Sequence, residues 1–416
     1  MAQPKVIVNL YPMLPAGGEE DRAARRPLGR SAALYHSVLH GMTDIVKAAD
    51  ELGVWGVSTI EHHLHSEGYE LAPCPGVIDA FWASQLKRAR VGAIGYVVGT
   101  RDPIRVAEEM AVIDHLAEGR FFAGFARGYQ KRWTSILGQH DDMQATMSDG
   151  SDADRANREI FEERVDQILA CWTQETVAFD GKYYKAPYPF ETGVEGFPAR
   201  AVAERMGAPG EIDAAGAVRR VSVVPSPFQQ PHPPVFTAVS ASLESIEFCA
   251  ERGIVPVYFS NLDGVVAMSR HYVEHGRKHG HAWQPGERQC IVRWPHFADS
   301  PAAARRILAE QDEEFYRNIY GSFFPFLVAG ATDMVDRIVE TGLFPCGTVD
   351  EQVAYWQDIL DKVPCEYLCL IWHYAQAPKQ SVIDEIELFM TKVLPRLNVP
   401  EFPAFDITTA APLAAE

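Results

Sequence analysis

Apolar residues cluster along this chain in short uninterrupted runs instead of a strict polar-apolar alternation. Eight runs read as strands: VIVNLY from Val6, VSTIEH from Val57, RVGAIGYVV from Arg90, RFFAGFA from Arg120, PVFTAV from Pro234, IVPVYFS from Ile254, CIVRWPHF from Cys290 and EYLCLIW from Glu366. A strand that is apolar on both faces of its pleat is covered on both, as in a parallel sheet flanked by helices. The segments between the runs carry helical spacing. After Asp102-Pro103, a cap followed by a residue preset for a first turn, Val106, Met110 and Ile113 share a face and Gly119 ends the segment. Near the end of the chain, Val382, Ile386, Phe389 and Val393 form one stripe that stops before Pro395. Strand and helix alternating eight times predict an α/β fold of the (β/α)8 TIM-barrel kind.

Three segments, about 13–35, 138–158 and 193–220, break this rhythm with Gly, Pro and clustered charge. The chain therefore reads as a single barrel domain over residues 1–397 with rim insertions, followed by a C-terminal extension at 398–416. Long rim excursions either close over a ligand as lids or are plain surface loops, and the Asp/Ser-rich DDMQATMSDGSDAD fits both.

Composition narrows the partners. With 416 residues and 47% hydrophobic content the chain can bury a large core, and its formal charge of -18 works against a nucleic-acid backbone, which needs a basic face. The opening MAQPKVIVNLYP has the layout of a first strand, not of a signal peptide, and no apolar run approaches a membrane span. Seven cysteines, scattered without CxxC spacing, point to small buried hydrophobes in a reducing cytoplasm.

The chemistry-bearing residues fall at strand ends. Glu61, His62 and His63 close the second run, at the rim where barrel enzymes hold their active sites. Adjacent strand residues point to opposite faces, which splits Glu61 from His62 and counts against a metal; acid/base work and a structural histidine pair both stay open. Arg127 ends the fourth run before Gly128, either to pair with a rim carboxylate or to receive an anion. In AVSASLESIEFCAERG, Ser242 is placed as a helix N-cap and Ser245 in the first turn, with Leu243 between them; such a terminus can seat a phosphate or simply be capped. Gly95-Tyr96, late in the third run, allows close approach of a flat ligand, and Trp372-His373 either line a pocket or close the barrel.

Taken in order, GVWGVSTIEHH, RARVGAIGYVVGTRDPIRVAEEMAVIDHLAEGRFFAGFARG, PHPPVFTAVSASLESIEFCAERG and ELFMTKVLPRL resemble the bacterial luciferase-like flavin monooxygenases over roughly residues 4–397. The resemblance implies a (β/α)8 barrel that binds reduced flavin mononucleotide (FMNH2) supplied by a separate NAD(P)H-dependent flavin reductase. Molecular oxygen, the co-substrate, adds to the flavin C4a carbon, and the resulting peroxide oxygenates a small organic substrate. Carried over by position, His62 resembles the active-site histidine, and Arg127, Ser242, Leu243 and Ser245 the flavin phosphate site. Glu61, Gly95 and Tyr96 fall beside the flavin, the last two near a non-prolyl cis peptide of the relatives. The resemblance also implies a homodimer. Ala126 stands where true luciferases carry a reactive cysteine, which tells against light emission. A related branch uses the deazaflavin F420 for hydride transfer, with an Asp-His pair where this chain has Glu-His-His; that dehydrogenase, a flavin-binding protein without turnover and a metal-dependent barrel hydrolase are the alternatives.

Overall fold

A computed structural model describes residues 1–145, 148–240 and 242–409. The last part of the expected C-terminal extension, 410–416, and two positions of the 138–158 insertion therefore lie outside the described residues.

Each of the eight apolar runs contains a strand. They are β1 (Lys5–Leu10), β2 (Gly56–Thr59), β3 (Arg90–Ala93), β4 (Tyr96–Val97), β5 (Ala123–Ala126), β6 (Val235–Val239), β7 (Val255–Tyr258), β8 (Cys290–Arg293) and β9 (Tyr367–Trp372). The main sheet has nine strands from eight runs because the third run breaks at Ile94-Gly95, where the peptide bond is cis. The sheet order is β3-β2-β1-β9-β8-β7-β6-β5-β4, a nearly closed parallel barrel surrounded by helices. β1 sets the register at the seam between chain start and chain end, with Val8 opposite Leu370 on β9 and Val57 on β2. All six residues of β9 are buried, as an unbroken apolar run requires.

The principal helices are α1 (Ala32–Glu51), α2 (Pro75–Ala83), α3 (Pro103–Leu116), α4 (Asp152–Thr173), α5 (Leu243–Arg252), α6 (Leu262–Lys278), α7 (Pro301–Gln311), α8 (Val349–Lys362) and α9 (Lys379–Leu388). Asp102 caps α3 by accepting from Ile104 and Arg105 N–H, and Val106, Met110 and Ile113 are buried as their spacing predicts. The insertions hold more regular structure than their composition indicates. Residues 13–35 include a helical turn at Glu19–Ala24 and the start of α1, whose N-cap is Ser31. Ser151 caps α4 inside the Asp/Ser-rich insertion, and Asp152 and Asp154 occupy its first turn, where carboxylates complement the helix dipole. Residues 193–220 carry a helix at Arg200–Met206.

The described chain divides into two compact units, one of Met1–Tyr96, Phe122–Gly124 and Val235–Ala404, the other of Val97–Phe121, Phe125–Pro234 and residues 405–409. In the first, Trp55, Phe122, Phe236 and Tyr367 meet tilted or edge to face, with centroids 4.9 to 5.9 Å apart, and plug the barrel at the N-terminal ends of its strands. A side chain at Gly92 would place Cβ 2.2 Å from the Phe122 carbonyl oxygen, so the plug admits only glycine there. In the second unit, Val97, Trp133, Met143 and Ile160 form a core, Trp172 donates to the Ala107 carbonyl at 3.0 Å, and Thr408–Thr409 pair with Gln229–Gln230. No helix among the described residues is long and apolar enough to cross a membrane.

Candidate active site

The second run was expected to stay in strand through His62, yet β2 ends at Thr59. Glu61, His62 and His63 therefore stand in the connection beyond the strand, and pleat alternation does not govern where they point. The chain doubles back through left-handed turns at Leu64 (φ 64°), Gly68 (φ 91°) and Glu70 (φ 45°). For the two residues with a Cβ such turns cost about 1–2 kcal/mol each. The return brings Glu70 onto His62, with Nδ1 and Oε2 2.6 Å apart. Glu70 is fully buried; burial alone would raise its carboxyl, but the His62, His65 and His373 imidazoles outweigh it and hold it below the ordinary glutamate value. An ionised Glu70 accepts from His62 Nδ1–H, which leaves the lone pair of the neutral ring on Nε2. Glu61 accepts from His63 Nε2 at 3.1 Å, and His65, given no role from sequence, is buried with its ring stacked on His62 at 5.7 Å.

His62, His65 and Glu70 offer ligand atoms within 4.8 Å of one another, a grouping that does not include Glu61. Tetrahedral zinc holds its N and O ligands roughly 3.3 Å apart. The 2.6 Å contact between His62 and Glu70 is instead that of a shared proton.

Ile94 N–H is held by Thr59 O at 2.9 Å and Ser58 Oγ at 3.0 Å, and the cis bond that follows it falls one residue before Gly95-Tyr96. The Tyr96 phenol donates to Asp79 on α2 at 2.7 Å, so this side chain faces a helix; any approach of a flat ligand is to the backbone. Ser242 caps α5 as its spacing predicts, accepting from Ser245 N–H at 3.2 Å and donating to Glu244 at 2.8 Å. Leu243 is exposed in the first turn and Ser245 is buried behind it. Within the second unit Arg127 follows the carboxylate reading: Nη2 pairs with Asp154 and Nε donates to Asn157 at 3.1 Å. Gly128 (φ 83°) makes the turn expected of it.

A second polar cluster, of which the sequence singles out Trp372 and His373 but not His296, Asp312 or Glu385, lies beyond the end of β9. His373 Nδ1 meets Asp312 at 2.7 Å, His296 stands 3.0 Å from Asp312 Oδ2 and 3.1 Å from Glu385, and Glu385 also accepts from the Trp372 indole at 2.7 Å. Burial opposes charge on His296, but Glu385 and Asp312 together push it up to about 10. Burial would likewise raise Asp312, but His296 and His373 take it down to about 2. Trp372 thus faces α9 as packing, while His373 sits among Phe315, Tyr11, Tyr320 and Trp294, with ring centroids 4.4 to 6.5 Å away. Its Nε2 is buried and has no hydrogen-bond partner among the described residues. The signal that was available is the spacing of polar residues next to aromatics in CIVRWPHF and LIWHY.

Comparison with known proteins gives this geometry its context. The model of the luciferase-like monooxygenase family matches residues 24–338. The alkanal monooxygenase alpha chain of Photobacterium leiognathi is 23% identical over 401 residues, 90% of this chain and 97% of that protein. The oxygenating constituent of 3,6-diketocamphane monooxygenase from Pseudomonas putida, a type II Baeyer-Villiger monooxygenase solved with FMN, superimposes with a TM-score of 0.68 at 19% identity, covering 96% of this chain and all of that one. An F420-dependent secondary alcohol dehydrogenase shares the fold at a TM-score of 0.60 and 13% identity, covering 95% of this chain and 100% of its own. The chain belongs to the luciferase-like monooxygenase family, and by that membership it is an oxidoreductase of the monooxygenase class.

Proposed function

We propose that this protein is the oxygenating component of a two-component system that uses FMNH2 and molecular oxygen to oxygenate a small organic substrate. The His62–Glu70 dyad in the connection after β2, its carboxylate fully buried, in a chain of this family, carries the reading. Reduced flavin supplies the reaction with oxygen activation. Glu70 fixes the His62 tautomer, and His62 Nε2 gives or takes the proton as the flavin reacts. The exposed first turn of α5, capped by Ser242 and beginning at Leu243, offers backbone N–H groups to a phosphate, though Glu244 in the same turn works against the anion. The resemblance assigns Arg127 to the flavin phosphate; within the second unit its guanidinium pairs with Asp154. Glu61, Gly95, Tyr96 and Ser245 complete the flavin contacts, Tyr96 through its backbone. A separate NAD(P)H-dependent reductase supplies the FMNH2, and the protein acts as a homodimer in the cytoplasm. The Pseudomonas relative's bound FMN supports flavin over F420.

The test mixes the protein with FMNH2 and aerated buffer in a stopped-flow instrument. Reoxidation is expected to pass through a transient absorbing species unlike either flavin redox state, and products from a substrate panel are followed by mass spectrometry with a generic reductase. Uniphasic reoxidation without any oxygenated product, or tighter binding of F420 than of FMN, ends the proposal.

A further inference from the structure

Away from the barrel mouth, α6 carries three histidines four residues apart, His271, His275 and His279, on the stripe that meets Glu247 and Glu251 of α5. The rings follow one another at 6.0 and 4.9 Å between centroids. Two overlapping groups, each a carboxylate and two imidazoles with ligand atoms within 4.8 Å, share His275. We propose that Glu247, His271 and His275 bind one divalent zinc-class cation, and that Glu251 positions His275 for it.

Three observations choose this group over the other. Glu247 Oε1 lies 2.9 Å from His271 Nε2 and 3.5 Å from His275 Nδ1. Those separations bracket the roughly 3.3 Å between neighbouring ligands of a tetrahedral zinc. A neutral imidazole has a single lone pair for a metal, so His275 serves one site at a time. When Nδ1 is the ligand, Nε2–H points at Glu251 Oε1, already 3.1 Å away, the carboxylate–histidine–metal arrangement that orients such ligands. The other Glu251 oxygen is held by Arg252 at 3.0 Å, and a guanidinium there repels an ion coordinated by Glu251 itself. Glu247 and Glu251 together balance the two charges of the ion. Glu247 and His271 are partly open to solvent, with side chains 38% and 26% exposed, so an ion can enter and keep a water as its fourth ligand. Bound there, it ties α5 to α6.

The full-length protein, stripped with a chelator and dialysed, is titrated with zinc chloride against a chromophoric zinc indicator. One Zn2+ per chain is expected, with a zinc-dependent rise in melting temperature. His271→Ala and Glu247→Gln should each abolish both effects, Glu251→Gln should weaken binding by about tenfold to a hundredfold, and His279→Ala should change neither stoichiometry nor affinity. Absence of binding by the parent protein overturns the proposal. So does binding that survives His271→Ala and Glu247→Gln, or that is lost in His279→Ala. Agreement between the His271 and Glu247 variants guards against misfolding of either one.

Discussion

At the scale of single residues, the informative contact is between His62 and a glutamate eight positions further on. Glu70 does not reach a ligand in this reading; it positions His62 by accepting from Nδ1–H. Glu70→Gln keeps the size of the side chain but can present an N–H to Nδ1, favouring the opposite tautomer. Substrate oxygenation per flavin oxidised is then expected to fall by about 10²–10⁴, the range of general acid–base catalysis, with the Kd for FMN little changed. Glu70→Asp should recover part of the loss. The conservative variant separates positioning from mere packing: aspartate still offers a carboxylate to His62 Nδ1–H, so recovery should follow the acceptor and not the side-chain volume. Equal loss in the Gln and Asp variants would show that Glu70 only fills space. Gly92 is a purely structural counterpart. Gly92→Ala sets a methyl 2.2 Å from the Phe122 carbonyl oxygen, which belongs to backbone and has no rotamer to escape into. Overpacking of this kind costs about 1–3 kcal/mol, read as a lower denaturant midpoint with unchanged flavin chemistry.

At the scale of elements, the strands follow directly from the apolar runs, because a strand buried on both faces cannot be written any other way. Helix starts were legible where a cap precedes a periodic stripe, as at Asp102 and Ser242. The loop after β2 was not, since its course depends on positive φ at Leu64 and Glu70, residues that announce no turn. An apolar run read as strand through His62 therefore overruns the true end at Thr59, and pleat alternation does not apply to Glu61 and His62. The Asp312–His296–Glu385 cluster escaped for a different reason: its members come from three distant segments, and only tertiary packing makes them neighbours. This cluster ties the segment after β8 to α9 and has a measurable consequence. His296 is pushed up to about 10, so the folded state holds a proton that the unfolded chain releases near pH 6.5. A raised imidazole contributes stability that is complete below the unfolded value and is lost as pH rises through the folded one. Thermal stability should therefore fall between about pH 6.5 and 10, and buried Cys365 and Cys369, pushed up to about 12, add little in that window. Breaking a buried ion pair by removing one partner costs about 3–5 kcal/mol. His296→Gln should accordingly be destabilised near neutral pH and show a flatter alkaline limb; melting curves from pH 6 to 10 for both proteins decide it.

At the scale of the whole molecule, the formal charge of -18 opposes the ligand that the proposed function requires, since FMN arrives as a phosphate dianion. The local feature offered to that phosphate, the N-terminus of α5, acts over a few ångströms. The net charge acts over the Debye length, about 30 Å at 0.01 M ionic strength and about 8 Å at 0.15 M. Approach at low salt is therefore governed by long-range repulsion, while the bound state depends on short-range contacts that salt screens much less. The association rate of FMN, measured by quenching of flavin fluorescence on rapid mixing, is expected to rise as sodium chloride goes from 10 to 150 mM, with a smaller change in the dissociation rate. A basic patch that steered the ligand in would give the opposite slope. Association that slows with added salt would mean that the potential at the barrel mouth is positive despite the overall charge, and would move the origin of flavin capture from the seat at α5 to the field around it.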